Sequence, residues 1–488
     1  MTPSRARRMA ALAVLAAGLL GGLVPNALGG AVVVLALALA ATLLFGERGA
    51  LYLLILLAPL EVYRALIPSL GVNGSPFRIG LLYVLAQTAV LVLRERRLPR
   101  PDRVLVGFAG LVALEVLTLF RALEPSTSIR IVGGHAAGLV AAAVLSDRLR
   151  SEHPRHLALG FLVSASLPLV LGLAVFVTQT PGEPAIVPGL AGLEVTSDLE
   201  ERLQAPTYSG TDLARAEGTL LDPNQFAAFL VAAVLLAVGL ASEASGRARH
   251  RLALGALLGV VGILMTFSKS GLLSLFGGLA ILRGRSAGAA ARKAGMLRAT
   301  FVLVSVATVL AAAWTVAPSV LRERLDPFSA PNETSTRLHE QTRLDALSLY
   351  GEYPILGVGP GNFGPVTGAD TLVSSTHSVY TTVLAELGTV GILLFLLTPA
   401  LLALRLRRRK RAGTDVAAEA SLLVTVYGVL LLNNVLYEVW ANEFQWVLVG
   451  LVAAATCRVP FVRERIPANA TRAMTLPEGA PPSPVRAG

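Results

Sequence analysis

The apolar residues of this chain come in blocks of roughly twenty, the length an α-helix needs to cross ~30 Å of hydrocarbon. Bounded by charges or by Pro and Gly clusters, the blocks fall at about 9–25, 30–45, 50–66, 79–93, 104–121, 129–147, 157–178, 223–241, 252–267, 269–283, 299–317, 376–404, 416–433 and 441–457. Several are short, notably the two that meet at 266–270, so twelve to fourteen crossings are expected. The fold class that follows is all-α: a polytopic transmembrane helical bundle. A soluble enzyme is excluded, because 54% of residues are hydrophobic and only 15% charged, whereas soluble chains carry about 25% charge.

Charge placement gives an orientation. With Arg5, Arg7 and Arg8 inside, alternation puts 31 of the 42 Lys and Arg residues in cytoplasmic segments, the bias that positive charge imposes on membrane topology. The net charge of +11 is therefore topological, and no nucleic-acid partner is expected. The stretch from Met1 to Leu20 is read as a first span, since no small-residue cleavage site follows it. The single cysteine, Cys457, excludes an intramolecular disulfide and a Cys-based zinc site. The expected organisation is N-terminal membrane helices over 1–178, a catalytic membrane region over 179–466 and a disordered cytoplasmic tail over 467–488. Both termini would lie in the cytoplasm, with outer loops at 181–222 and 318–376. Loops of that length are usually functional or disordered.

The outer loops hold the candidate chemistry. Arg215 is one of two arginines set among eight acidic residues in 181–222, which fits either an ion pair or an anion to be held. Asp222 and Pro223 read as a helix start, with Asn224 in its first turn. In the second loop, Ser335 and Thr336 are expected to cap an amphipathic helix over 337–350, with Leu344, Leu347 and Tyr350 on one side and Arg337, Glu340 and Arg343 on the other. The run from Gly357 to Gly364 contains a formal GxGxxG, but no strand precedes it, and it is read as a tight re-entry turn. His377, at a helix start, is either a general base or an interfacial histidine bonded to a carbonyl. His339 also faces the outer compartment and carries less weight. Lys269 sits where two short spans meet, a functional ion or a snorkelling one. No DxD pair or histidine cluster is present, so neither metal nor cofactor is expected.

The order Arg215-x-x-Gly218, Asp222-Pro-Asn224, Ser268-Lys-Ser-Gly271, Ser335-Thr-Arg337, Tyr353-Pro-Ile-Leu-Gly-Val-Gly-Pro-Gly-Asn-Phe363, His377 and Ala385-Glu-Leu-Gly388 resembles the O-antigen ligase and polymerase superfamily. The resemblance implies a bacterial inner-membrane glycosyltransferase that takes a glycan from an undecaprenyl diphosphate carrier. The acceptor would be a lipid, a glycan or a protein, and ligase, polymerase and protein oligosaccharyltransferase all stay open. It further implies that His377 activates or places the acceptor and that Arg215 and Arg337 hold the carrier diphosphate. Lys269, Arg343 and Asn224 are then the expected substrate contacts, at the outer face of the membrane and in touch with its lipid. Three positions depart from the family pattern: Ser378, Lys269 between two serines, and His339-Glu340-Gln341 after the arginine. The competing class is a secondary transporter or exporter of an envelope precursor, which predicts two matching halves; the long outer loops occur only in the second half.

Overall fold

A computed structural model of the chain describes residues 5–22, 27–60, 65–67, 72–73, 75–96, 98–178, 215–220, 222–284, 330–367, 376–412 and 417–457. The helices are α1 (Arg5–Gly22), α2 (Ala27–Phe45), α3 (Glu47–Leu57), α4 (Pro76–Glu95), α5 (Val106–Thr118), α6 (Pro125–Arg148), α7 (Pro154–Ser164) and α8 (Ser166–Thr178). They continue as α9 (Pro223–Glu243), α10 (Gly246–Met265), α11 (Lys269–Gly284), α12 (Ala330–Glu352), α13 (Phe363–Thr367), α14 (Val379–Arg411), α15 (Ala418–Leu436) and α16 (Glu443–Cys457). The one departure from all-α among the described residues is a short antiparallel hairpin, β1 (Ala65–Ile67) with β2 (Val72–Asn73).

Eight segments among the described residues are long and apolar enough to cross a membrane: α4, the α5 segment 103–121, α6, the α7–α8 run to Ala174, α9, α10, α14 and α15. The chain is a multi-pass membrane protein. Gly30–Phe45 and Glu443–Cys457 are apolar but shorter, and the expected span at 299–317 and the tail at 467–488 lie outside the described residues. The span expected at 50–66 is corrected: α3 stops at Leu57, where Ala58 N tightens onto Ile55 O and Pro59 has no N–H with which to continue the ladder. Eleven residues rise only ~16 Å.

Local sequence sets the helix starts. Pro76, Pro154 and Pro223 each occupy a first-turn position where the missing N–H costs nothing, behind Ser75, His153 and Asp222, whose side chains accept from the first free backbone N–H groups. One continuous core runs from Val34 to Ala455. α9 and α16 lie at its centre and are buried on nearly every side, as helices apolar all round should be. Small residues let neighbours close in on them: a Cβ at Gly138 would fall 2.4 Å from the Trp446 ring, and one at Gly450 would fall 2.9 Å from Ala142 Cα. Outward-facing Leu93 and Phe120 are 79% and 81% exposed, surface that suits lipid rather than water.

The last long helix is not continuous. A single helix was expected through Gly388; instead Gly388 has φ 64° and breaks α14. The glycine-rich run packs into the break. Val358 and Gly359 donate to the carbonyls of Ala385 and Glu386 (3.0 and 2.8 Å), while Thr389 and Val390 donate to those of Pro354 and Ile355 (2.8 and 3.2 Å). The groups orphaned by the break are thus satisfied by a loop, as a buried backbone requires. Glycine is obligatory here, since a Cβ on Gly357 would lie 2.2 Å from the Glu386 backbone and one on Gly388 would lie 2.4 Å from that of Ile355. The run is a tight turn, as the sequence suggested, and its partner is a helix rather than a nucleotide. Asn362 anchors it further, donating to Arg121 O and Val358 O and accepting from Leu123 N.

Candidate active site

Five segments meet at one end of the bundle: the stretch 215–222 with the head of α9, the turn between α10 and α11, α12, the start of α14, and the residues between α15 and α16. Arg215 Nε donates to Thr266 O at 2.7 Å, and its Nη2 donates to Asn224 Oδ1 at 3.0 Å. Asn224 is held in turn by Asp222, whose Oδ1 accepts from the backbone N–H groups of Asn224 and Gln225. The other oxygen of Asp222 accepts the Tyr437 hydroxyl at 2.6 Å. Burial and the adjacent Asp222 carboxylate push the Tyr437 phenol well above its ordinary value, so it stays a donor. Its ring centroid lies 5.9 Å from that of His377.

His377 is in ring contact with His339, the centroids 3.8 Å apart and the planes inclined by 56°. Both imidazoles are pushed down to about 4, His377 by burial and then Arg343, His339 by burial, then His377, then Arg343. Both are therefore neutral at pH 7 and able to accept a proton. Arg343 reaches Val435 O at 3.4 Å, and its buried Nε has no hydrogen-bond partner among the described residues. The start of α14 is pinned to its neighbours: Thr376 contacts the hydroxyls of Thr381 and Thr382, Thr382 donates to Glu438, and Tyr380 donates to Leu431 O.

Backbone strain marks the same place. Among the described residues three non-glycine positions have positive φ, and two of them, Phe267 (50°) and His377 (56°), belong to this cluster. Such conformations are costly and concentrate at functional sites. Phe267 lies in the turn where α10 hands over to α11, and Ser268 caps the new helix by accepting from Gly271 N. Lys269 follows, exposed, at the rim.

Residues 254–396 match the family model of O-antigen ligase. No curated protein matches the chain. The matched stretch runs from within α10 to within α14 and so contains Lys269, Arg337, His339, Arg343 and His377. Arg215, Asp222, Asn224 and Tyr437 complete the cluster from outside it.

Several expectations are revised by this geometry. The amphipathic helix begins at Ala330, not at Ser335–Thr336, and its buried face carries Thr342, Ala346 and Leu349. Leu344 and Leu347, on the apolar side of a helix expected at the membrane surface, are exposed. In consequence His339 and Arg343, four residues apart on one helical face, turn inward beside His377. Arg337 is exposed about 9 Å further along the helix axis. Arg215 and Asn224 are joined, while Lys269 is one turn removed from Arg215's partner Thr266. Sequence reasoning singled out neither Tyr437, which bonds Asp222, nor the contact between His339 and His377. Among the described residues no group of three or more His, Cys, Asp or Glu side chains is arranged to hold a metal ion.

Proposed function

We propose that the protein is a membrane glycosyltransferase that moves a glycan from an undecaprenyl diphosphate carrier to an acceptor hydroxyl at the outer face of the cytoplasmic membrane. The observation that carries this reading is His377 in ring contact with His339 and beside Arg343, all three within the residues that match the O-antigen ligase model. His377 takes the proton as the acceptor oxygen attacks the anomeric carbon. The bond from that carbon to the diphosphate oxygen breaks, and its electron pair leaves with the phosphate. Arg215 and Arg343, with Arg337 nearer the rim, supply fixed positive charge where the leaving group becomes more negative. Guanidinium forks suit phosphate oxygens. Direct attack opposite the leaving group inverts the anomeric centre.

Asn224 and Asp222 orient Arg215, and Lys269 extends the cationic rim toward an incoming headgroup. The purified full chain, given a lipid-diphosphate-linked glycan and candidate lipid, glycan and protein acceptors, tests the reading. Transfer to one of them with release of the carrier diphosphate is expected. Accumulation of the intact lipid-linked glycan across a proteoliposome membrane without any transfer would favour the exporter class instead. Labelling of Asn332→Cys in intact cells should succeed, and labelling only after lysis would remove the site from the outer face.

A further inference from the structure

His339 contributes a second imidazole that the transfer reaction, as usually drawn with one base, does not need. The two rings touch, come from α12 and from the residues just before α14, and are both partly buried. We propose that the base is the His339–His377 pair, two imidazoles in ring contact that accept one proton between them and resist a second. The inference rests on the glycosyl-transfer reading above and adds a residue to it.

The chemistry of paired imidazoles supports this. A neutral imidazole offers an acceptor nitrogen, and an imidazolium offers none. Once the acceptor's O–H bond breaks and the proton reaches His377, a neutral neighbouring ring tolerates that imidazolium where a second imidazolium would repel it. A second proton would set two cations in contact, and interacting sites of this kind titrate as a pair in two separated steps. The surroundings oppose early protonation of either ring. Arg343 faces both from α12, and Arg215 lies beyond Tyr437. On the acidic side stand Asp222, bonded to Tyr437, and Glu438, bonded to Thr382. His377 is the group that touches the acceptor; His339 is a positioning residue that shares its charge. When the carrier diphosphate departs, the proton returns to it or to water, so the pair ends neutral and no other reactant is consumed.

Two measurements test the pair, one without turnover. In the full chain with ¹³C-labelled histidine, six histidines make assignment by substitution tractable. His339 and His377 should titrate as a coupled pair in two steps, and His339→Phe, which keeps a ring of similar size, should collapse the His377 transition to a single one. In the transfer assay, His377→Ala should lower kcat on the order of 10²-fold, and His339→Phe should lower it by about tenfold or more. The double variant should be no worse than His377→Ala alone, because residues acting as a unit are non-additive. His339→Gln, with a wild-type melting temperature, should resemble His339→Phe. Independent single-step titrations in the wild type, or losses that multiply in the double variant, would overturn the pair while leaving the transferase reading intact. Coupled titrations with wild-type transfer from every variant would overturn the base role of the pair, whereas coupled titrations in a wild-type protein that transfers to none of the acceptors would overturn the transferase reading on which it rests.

Discussion

The two ends of the bundle use arginine in opposite ways. At one end Arg405, near the end of α14, is clamped in a two-point ion pair with Asp102, while Cys457 donates to the same carboxylate and Thr456 accepts from the arginine. Asp102 is buried, and side-chain hydrogen bonds from Arg405 and Cys457 overcome the effect of burial and hold its carboxyl below its usual range. At the other end Arg215 is aimed by a carbonyl and an amide oxygen, and Arg343 reaches a single carbonyl with its Nε unpartnered among the described residues. At Arg343 a neutral acceptor holds the guanidinium without cancelling its charge. Arg405 is therefore structural, whereas Arg343 keeps a field available to an anion.

The largest expected effect is on the base. His377→Ala should reduce transfer by ~10² to 10⁴-fold with normal membrane insertion, whereas Arg405→Met should leave the turnover of folded protein unchanged. Because both histidines are pushed down to about 4, kcat/KM should stay flat from neutral pH down through the usual histidine range and fall only near 4, where the base becomes protonated. An acid limb at 6.5 would mean that water reaches the pair freely.

Lysine substitution separates the two ends next. Arg343→Lys and Arg215→Lys keep charge but lose the planar fork, and each should raise the KM for the lipid donor by about tenfold, close to 1.4 kcal/mol. Arg405→Met should instead cost about 3–5 kcal/mol of stability, because it strands a buried carboxylate, read as a lowered melting temperature. The Asp102 contribution has a defined sign. With its folded-state pKa below the unfolded value, it stabilises at neutral pH and the benefit disappears as pH falls through the folded-state value. Equal donor-KM effects from changes at both ends would erase the distinction.

Tyr437→Phe is a smaller perturbation, removing one hydroxyl bond to Asp222. A loss of about 1–2 kcal/mol is expected, appearing in donor KM through the Asp222–Asn224–Arg215 chain and hardly in acceptor KM. An effect confined to the acceptor would place Tyr437 in the base rather than in donor holding. The smallest expected effect is none: transfer should persist in EDTA, because the guanidinium groups offset the charge of the departing diphosphate. Complete loss in chelator, restored by Mg²⁺ or Mn²⁺, would show that the outer carboxylates ligate metal.

Hydropathy located the eight segments long and apolar enough to cross, because span length is set by the bilayer and needs no tertiary information. The start of α9 was equally legible, since Asp222-Pro223 carries its own capping chemistry. The face of α12 was not. Periodicity separates Leu344 and Leu347 from Arg343 but does not say which side meets protein, and at the end of a membrane bundle apolar residues can turn outward while a histidine and an arginine turn in. The break at Gly388 was hidden for a different reason: a lone glycine in a helical pattern is ordinary, and only the distant run 354–359 makes it a gap. Tyr437 gave no signal because an aromatic residue at the end of a span reads as an interfacial anchor.

The splice at Gly388 bears on how such a protein tolerates membranes of different thickness. An uninterrupted helix of 33 residues answers hydrophobic mismatch by tilting as a rod, and the tilt would carry His377 away from His339 and Tyr437. With the rod cut at Gly388 and the run 354–359 bonded to both pieces, at Ala385 and Glu386 on one side and Thr389 and Val390 on the other, a tilt imposed by mismatch is shared with the loop instead of swinging His377 at the end of a free rod.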